Sequence, residues 1–391
     1  MFFFLLLMIY EYYKEIWKRA ILVDYDTKWP LKIKYHVGSW LKKDVIKKAI
    51  NQLQELTCIV FEESSSSFVS GSGILFVNRN GVCESRVGKS PYNNSQEIFL
   101  TTDCSNSLGV VLHELGHVLG LLHEHQRDDR WRYVWIEKKN IKPGKERSIS
   151  IIYSGTQFKT FDIPYDFGSI MHYPSHASSI SSKKPTIQSQ SISLYNQMMG
   201  QLDGLSFNDA RKLNRYYCLD KCRGKSIKCE NGGYQNWRNC QSCTCPRGYS
   251  GNNCSQPQSF ETLCSKNNIV VTEYLQMLQD SKIKKCNYHF KSENGKRIQL
   301  KLSSISTKKR EICSPGYGIE IKYTIDKSST GLCLCGTFEN IYIITEGNEA
   351  YIEYHGLEYS NEFLIFYADY LNTSNSKICY DNLCVFYTQT L

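Results

Sequence analysis

The fold is decided by the stretch His113-Glu-Leu-Gly-His-Val-Leu-Gly-Leu-Leu-His-Glu124. If this stretch begins as a helix, His113 and His117 lie one turn apart and their imidazoles leave the same face. Two imidazoles at this spacing can bind one zinc ion. Glu114 follows the first histidine and can reach a water at that ion without binding the metal itself. The pattern therefore predicts a metal site with a general base beside it.

A glycine and a third histidine extend this pattern. Gly120 can adopt a left-handed conformation, which ends the helix and turns the chain back. His123 then approaches the metal from another direction. Without this extension, a core helix with two satisfied histidines is the alternative interpretation. Three neutral imidazoles leave the fourth position of a tetrahedral zinc ion open, which is typical of a catalytic site rather than a structural one.

Further motifs narrow the comparison to one family. Ser169-Ile-Met-His-Tyr173 places a methionine and a tyrosine downstream of the histidines, as in the Met-turn of metzincins. With His123-Glu-His-Gln-Arg-Asp-Asp-Arg130 and the Thr-Cys-Ile-x-Phe pattern at Thr57–Phe61, the region 20–218 resembles the astacin family of zinc peptidases. The family usually has an acidic residue where Trp131 stands, and we expect that position to support the fold rather than the chemistry.

The resemblance implies an α+β fold in which a two-lobed metzincin domain has a central zinc cleft. It implies one Zn²⁺ per subunit, held by His113, His117 and His123. Tyr173 aligns with a tyrosine that stabilises the oxyanion in astacins. Met171 is expected to form an apolar floor below the metal.

The first nineteen residues resemble a leader that is removed. Met1–Tyr10 is apolar and short, like the core of a signal peptide, and too short to span a membrane. We interpret residues 11–19 as a short pro-segment remnant in which Lys18-Arg19 is a candidate cleavage site. By the resemblance, the new amino terminus at Ala20 would bury its ammonium group against Glu124.

Composition indicates a secreted protein. The 391 residues include 17 cysteines, which points to an oxidising compartment. A net charge of +9 would favour binding to nucleic acid. However, the lysines are scattered and no nucleic-acid-binding motif accompanies them. We therefore expect an extracellular location, no nucleic-acid partner and no membrane span.

Four cysteines belong to the region 20–218 and allow three pairings: Cys58, Cys83, Cys104 and Cys218. The astacin resemblance implies Cys58–Cys218 and Cys83–Cys104. The first bridge would close a long loop and tie the C-terminal helix of this region to its N-terminal half.

A compact cysteine cluster follows at residues 219–255. Its Cys-x-x-Cys-x-Cys spacing could indicate zinc, but its glycines and the secretory context favour disulfides. The cluster resembles an EGF module, which implies the pairs Cys222–Cys240, Cys229–Cys243 and Cys245–Cys254. It lacks the acidic leader of calcium-binding modules, so we expect no calcium there.

Residues 260–386 are interpreted as an all-β domain, because β-branched and aromatic residues dominate several short runs. The runs are Ile298–Leu302, Ile319–Ile325, Tyr342–Thr345 and Phe363–Tyr367. Its cysteines resemble those of a divergent CUB sandwich, namely Cys264, Cys286, Cys313 and Cys335. The extra cysteines are Cys333, Cys379 and Cys384. The odd total leaves one cysteine free or bonded to a second chain.

Periodicity also predicts the elements around the metal site. Apolar residues recur at helical spacing in Asp44–Thr57, and Ser206 begins a final helix with a capping pattern. The extended segments are Ile59–Phe61, Gly73–Asn78, Cys83–Gly88 and Glu97–Leu100. By the resemblance, Cys83–Gly88 is the edge strand that pairs with a substrate peptide, since strand addition supplies backbone hydrogen bonds without reading sequence.

The favoured hypothesis is a secreted zinc endopeptidase that hydrolyses proteins or peptides of the extracellular matrix or cuticle, with Glu114 as general base. The alternative is a catalytically inactive adhesion or binding protein on the same scaffold. The complete set of ligands, base and tyrosine disfavours it, because retired metalloproteases commonly lose the glutamate or a ligand. Three sequons are candidate glycosylation sites in a secreted chain: Asn93, Asn253 and Asn372.

Overall fold

The computed structural model describes residues 20–24, 26–67, 71–92, 94–153, 157–258, 264, 267–371, 377–380 and 383–386. The chain divides into two compact units. The first combines the described residues of Met1–Gln188 with Leu202–Arg223, and the second combines Ser189–Gln201 with those of Gly224–Leu391. The predicted signal-like and pro-segments, with Lys18-Arg19, lie outside the described residues.

The first unit is built on a five-stranded sheet with the strand order β3-β2-β4-β6-β5. The strands up to residue 189 are β1 (Ile21–Leu22), β2 (Lys32–Val37), β3 (Val60–Glu63), β4 (Ile74–Asn78), β5 (Glu84–Ser85), β6 (Gln96–Leu100), β7 (Val134–Ile136), β8 (Phe158–Lys159) and β9 (Ile187–Ser189). Four strands of the sheet run parallel, and β5 pairs antiparallel at the edge. Two small pairs, β1 with β8 and β7 with β9, lie apart from this sheet.

Helices complete the first unit. They are α1 (Lys43–Leu56), α2 (Thr102–Ser105), α3 (Leu108–Val118), α4 (Glu146–Ser150) and α5 (Phe207–Tyr217). Short 3-10 helices span Glu124–Gln126, Arg130–Arg132, Lys138–Asn140 and Leu219–Cys222. The buried face of α1 carries apolar residues at helical spacing, and α1 packs against α3. Helix α3 is therefore held within the core of this unit.

The small module of the second unit is made of two short hairpins. Strand β10 (Tyr234–Gln235) pairs with β11 (Cys243–Thr244), and β12 (Tyr249–Ser250) pairs with β13 (Gln256–Pro257). Disulfides join Cys229 to Cys243 and Cys245 to Cys254. Cys240 of this module is also disulfide-bonded, as is Cys222 at the end of the first unit. These bonds leave no thiolate for the zinc site that the Cys-x-x-Cys spacing allowed.

The larger part of the second unit is a sandwich of two sheets. The first sheet has the order β14-β16-β21-β18-β19, and the second has the order β15-β22-β17-β20. The strands are β14 (Asn268–Val271), β15 (Gln276–Ser281), β16 (Lys284–Ser292), β17 (Ile298–Ser306), β18 (Gly318–Lys322), β19 (Leu332–Leu334), β20 (Thr337–Ile344), β21 (Glu349–Gly356) and β22 (Glu362–Asp369). A separate hairpin joins β23 (Lys377–Tyr380) to β24 (Leu383–Phe386), and a 3-10 helix spans Ser193–Gln197. The predicted fold class is confirmed, since an α+β unit is accompanied by a disulfide-rich module and an all-β sandwich.

Two findings bear on a disulfide-linked second chain and on a membrane span. Cys264 is bonded to Cys286 and Cys313 to Cys335, whereas the free cysteine among the described residues is Cys333, which is fully buried. Burial also raises the pKa of the Cys333 thiol, and this position argues against a disulfide to a second chain through it. Within the described part of the chain, no helix combines the length and apolar character that a bilayer crossing requires.

Candidate active site

Helix α3 carries the first two histidines of the motif. Ser107 caps its amino end, where the Ser107 Oγ accepts a hydrogen bond from the Val110 N–H. The rings of His113 and His117 lie 4.7 Å apart between centroids, as the spacing predicted. The helix ends at Val118.

A tight turn brings the third histidine back. Gly120 has a φ of +101°, a conformation that L side chains rarely adopt. Its N–H donates to the His117 carbonyl at 2.8 Å and its carbonyl accepts from Leu22 at 2.9 Å. The potential ligand atoms of His113, His117 and His123 then all lie within 4.8 Å of one another. The structure thus brings together the three predicted ligands.

The outer nitrogen of each imidazole has a hydrogen-bond acceptor. The Nδ1 of His113 lies 2.8 Å from the Ile170 carbonyl, and that of His117 lies 2.8 Å from the Leu121 carbonyl. The Nδ1 of His123 lies 3.0 Å from an oxygen of Gln126. If each Nδ1–H is donated outward, each Nε2 presents a bare lone pair to the centre.

These donors fit a zinc ion. The Nε2 atoms of His117 and His123 are only 3.0 Å apart, and two bare lone pairs repel at that distance unless a cation lies between them. Burial lowers the pKa of His117 to about 3 and holds the pKa of His123 well below its usual value. Neutral imidazole is the form that binds zinc.

Glu114 stands beside the three histidines and is buried. One of its carboxylate oxygens accepts a hydrogen bond from the Ser85 hydroxyl at 2.7 Å. Burial raises the pKa of Glu114 to about 7, although the bond from Ser85 opposes this rise. A carboxyl group with a pKa near neutrality suits a general base.

Tyr173 and Met171 lie close to the histidines as well. The Tyr173 ring is 4.2 Å from the His123 ring, between centroids. Met171 is buried, and a Cβ added to Gly116 of α3 would lie 2.9 Å from its Sδ. The methionine therefore packs directly against the helix that carries two of the histidines, while the tyrosine lies beside the third.

Glu124, the residue expected to bind the ammonium group of a processed amino terminus, is buried among three other donors. Its carboxylate accepts from Lys212 at 2.6 Å, from Arg127 at 2.8 Å and from the Asp166 N–H at 3.1 Å. The Ala20 nitrogen, which is an amide in a chain that continues from Arg19, donates to the Lys159 carbonyl at 3.0 Å. Both Glu124 oxygens thus have partners in the chain, and one of these partners is a lysine side chain.

The remaining predicted residues are distributed as follows. Disulfides join Cys58 to Cys218 and Cys83 to Cys104. Trp131 is exposed, and the Arg132 guanidinium stacks on its ring. Asn253 is partly exposed, and its Oδ1 accepts from the Ser255 hydroxyl at 2.8 Å. The sequon positions Asn93 and Asn372 lie outside the described residues.

Sequence reasoning missed two residues that contact the site. Ser85 falls within the predicted edge segment, and alternation along a strand could have pointed its side chain toward the helix. Gln126 follows His123 at a spacing of three, at which a side chain can reach back within a turn. No signal in the sequence linked Lys212 to Glu124, because the two residues are 88 positions apart.

Comparison with known proteins supports a single family. A model of the astacin peptidase family matches residues 22–218. Zinc metalloproteinase nas-36 of Caenorhabditis elegans is 32% identical over 331 residues, which cover 81% of this chain and 52% of that protein. The Brugia malayi protein of the same name is 36% identical over 248 residues, covering 62% of this chain and 41% of its own length. The chain therefore spans about half the length of the curated relatives it matches.

Among solved structures, high choriolytic enzyme 1, a hatching enzyme zinc-protease from the medaka fish Oryzias latipes, is similar over part of the chain. It is 28% identical, with a TM-score of 0.42, and the match covers 49% of this chain and 90% of that one.

Proposed function

We propose, since this chain belongs to the astacin family of peptidases, that it is a secreted endopeptidase that hydrolyses peptide bonds with one zinc ion. The observation that carries the proposal is the arrangement of the three histidines. Their outer nitrogens are all held by acceptors, and their inner nitrogens converge beside a glutamate with a pKa of about 7.

His113, His117 and His123 would hold the zinc. The ion would supply a Lewis acid that polarises oxygen ligands and lowers the pKa of water. Three protein ligands leave it an open position, as in catalytic sites.

Glu114 moves the proton in this proposal. Its carboxylate takes a proton from the attacking water and later delivers it to the leaving amine. Ser85 occupies one carboxylate oxygen, so the other oxygen is left for the water. Tyr173, beside His123, donates a hydrogen bond to the carbonyl oxygen as negative charge develops on it.

The substrates are proposed to be extracellular proteins or peptides, including those of matrix or cuticle. Strand β5 lies at the end of the strand order of its sheet, so an extended peptide can add to it by backbone hydrogen bonds. The disulfides of both units support an oxidising, extracellular location.

Glu114→Gln tests the proposal, because glutamine keeps the shape of the side chain and cannot act as a base. We expect kcat/KM on a fluorogenic peptide to fall by about 10²–10⁴-fold, with one zinc per chain retained by elemental analysis. The matched control is Glu311→Gln, at an exposed position of the second unit. Full activity of E114Q would refute the base, and wild-type protein that cleaves no peptide or ignores a chelator would refute the zinc peptidase itself.

A further inference from the structure

A buried lysine of the first unit lies between two buried carboxylates. Lys212 of α5 is 2% exposed, and Glu124 and Asp209 are both fully buried. The Lys212 Nζ lies 2.6 Å from a Glu124 oxygen and 3.6 Å from an Asp209 oxygen. Ion pairs in such a position are sensitive to the loss of either partner, because the remaining charge is then buried alone.

The ion pair with Glu124 connects Lys212 to His123, the third proposed ligand. Glu124 directly follows His123, and its N–H donates to the Met171 carbonyl at 3.0 Å. Its second carboxylate oxygen binds Arg127 at 2.8 Å. The loop that carries His123 is therefore fixed by its backbone on one side and by two cations on the other.

The ion pair with Asp209 connects Lys212 to His113, the first proposed ligand. Asp209 accepts hydrogen bonds from the Ser169 hydroxyl at 2.6 Å and from the Ile170 N–H at 3.0 Å. The Ile170 carbonyl in turn lies 2.8 Å from the Nδ1 of His113. The Lys212 ammonium group thus contacts two carboxylates. Glu124 directly follows His123 in the chain, and Asp209 is linked to His113 through the backbone of Ile170.

We infer that Lys212 is a positioning residue that locks the His123 loop and the turn at Ser169–Tyr173 onto α5, so that the zinc site assembles without a free amino terminus at Ala20. This role rests on the proposed function, and it explains how the proposed zinc site is held together. Both Glu124 oxygens already have partners.

Lys212→Met tests the positioning role, because methionine keeps much of the length of the side chain and removes the charge. The matched control is Lys145→Met, an exposed lysine of the same unit. We expect zinc to leave K212M at least tenfold faster than it leaves K145M or the wild type, as measured with a chromogenic chelator in the full chain. Equal rates in K212M and K145M would overturn the inference.

A second variant covers the case in which K212M does not fold. Glu124→Gln combined with Lys212→Met removes both charges of the ion pair, so the net charge of the buried cluster returns to that of the wild type. Arg127 keeps its pair with Asp129, and Asp209 keeps its hydrogen bonds from Ser169 and Ile170. If the pair acts as a bridge, the double variant should melt at a higher temperature than K212M and retain zinc longer. A double variant no better than K212M, or worse, would count against the bridge.

The amino terminus is tested separately. A chain released from a fusion partner so that it begins at Ala20 is compared with one that carries Gly-Ser before Ala20, and all described residues are present in both. We expect zinc release and kcat/KM to agree within twofold. A tenfold loss in the extended chain would show that a free ammonium is needed. If neither chain cleaves peptide, the proposed function fails, whereas the zinc-release comparison still decides the role of Lys212.

Discussion

At the scale of single residues, the proposed chemistry depends on contacts that hold Glu114. The Ser85 hydroxyl lies 2.7 Å from a Glu114 carboxylate oxygen and 3.0 Å from the Glu114 backbone carbonyl oxygen, so its single proton is shared between the two acceptors. Ser85 belongs to the edge strand β5. The strand proposed to bind the peptide therefore also orients the proposed base.

Ser85→Ala should lower kcat about tenfold, which corresponds to the loss of a hydrogen bond worth roughly 1.4 kcal/mol. KM should change less than twofold, because the hydroxyl is directed at the base rather than at the peptide. Steady-state kinetics with a fluorogenic peptide separate the two quantities. Ser66→Ala, at an exposed position of the same unit, is the control, and Ser85→Thr should recover most of the rate. A change confined to KM would contradict the positioning of Glu114.

The residues that the sequence predicted differ in kind from those it missed. His113, His117 and His123 are close in the chain, and helix geometry with one glycine turn is enough to bring their rings together. Ser85, Gln126 and Lys212 act through side-chain contacts whose partners depend on tertiary packing. No local periodicity encodes such contacts, so the convergence of the three rings could be predicted and the hydrogen bonds around them could not.

At the scale of elements, the turn after α3 decides where His123, the third proposed ligand, lies. Gly120 has a φ of +101°, and an added Cβ would lie 3.3 Å from the Leu22 carbonyl oxygen and 3.4 Å from Ile21. Leu22 also donates to the Gly120 carbonyl. The turn is therefore restricted both by its own conformation and by the strand β1 packed against it.

Gly120→Ala should destabilise the first unit by about 1–2 kcal/mol, the cost of a left-handed conformation for an L residue. For a unit of this size the melting temperature should fall by about 2–8 °C. Zinc affinity should fall as well, because the turn sets the position of His123. Differential scanning calorimetry and zinc competition measure the two effects.

Gly144→Ala is the matched control for this turn. Gly144 also has a positive φ, of +80°, but nothing lies within 4 Å of an added Cβ. It should lose stability through conformation alone and keep its zinc affinity. Equal zinc affinities in the two variants would show that the turn does not position His123.

Element boundaries show where periodicity stops being informative. The predicted helix at Asp44–Thr57 is observed at Lys43–Leu56, and the capping pattern at Ser206 is present in full. The predicted extended segment Cys83–Gly88 forms a strand only at Glu84–Ser85. Strand length at a sheet edge depends on how far the neighbouring strand pairs, and that is a property of the sheet rather than of the segment.

At the scale of the whole molecule, the proposed zinc ligands and the free thiol found among the described residues belong to different units. His113, His117 and His123 lie in the first unit, and Cys333 lies in the second. Cys333 is fully buried in the β-sandwich, so it reacts with a thiol reagent only when that part of the chain opens. Zinc binding can therefore report on the stability of the first unit, and the accessibility of Cys333 can report on the stability of the second.

Removal of the metal should lower the melting temperature of the first unit and leave that of the second unchanged. Binding of zinc to the folded state stabilises it by about 4 kcal/mol when free zinc is about a thousand times the Kd. A unit of roughly 150–250 residues gains about 2–4 °C for each kcal/mol, so chelation should lower the first transition by about 8–16 °C.

Calorimetry with and without chelator measures this shift in melting temperature. Alkylation of Cys333 during the same temperature ramp, detected by peptide mass, marks the second transition. E114Q serves as the control because it keeps all three ligands and should respond to chelator as the wild type does. If chelation advanced labelling of Cys333 as much as it lowered the first transition, the two units would unfold together, and the metal would stabilise the whole chain rather than the unit that binds it.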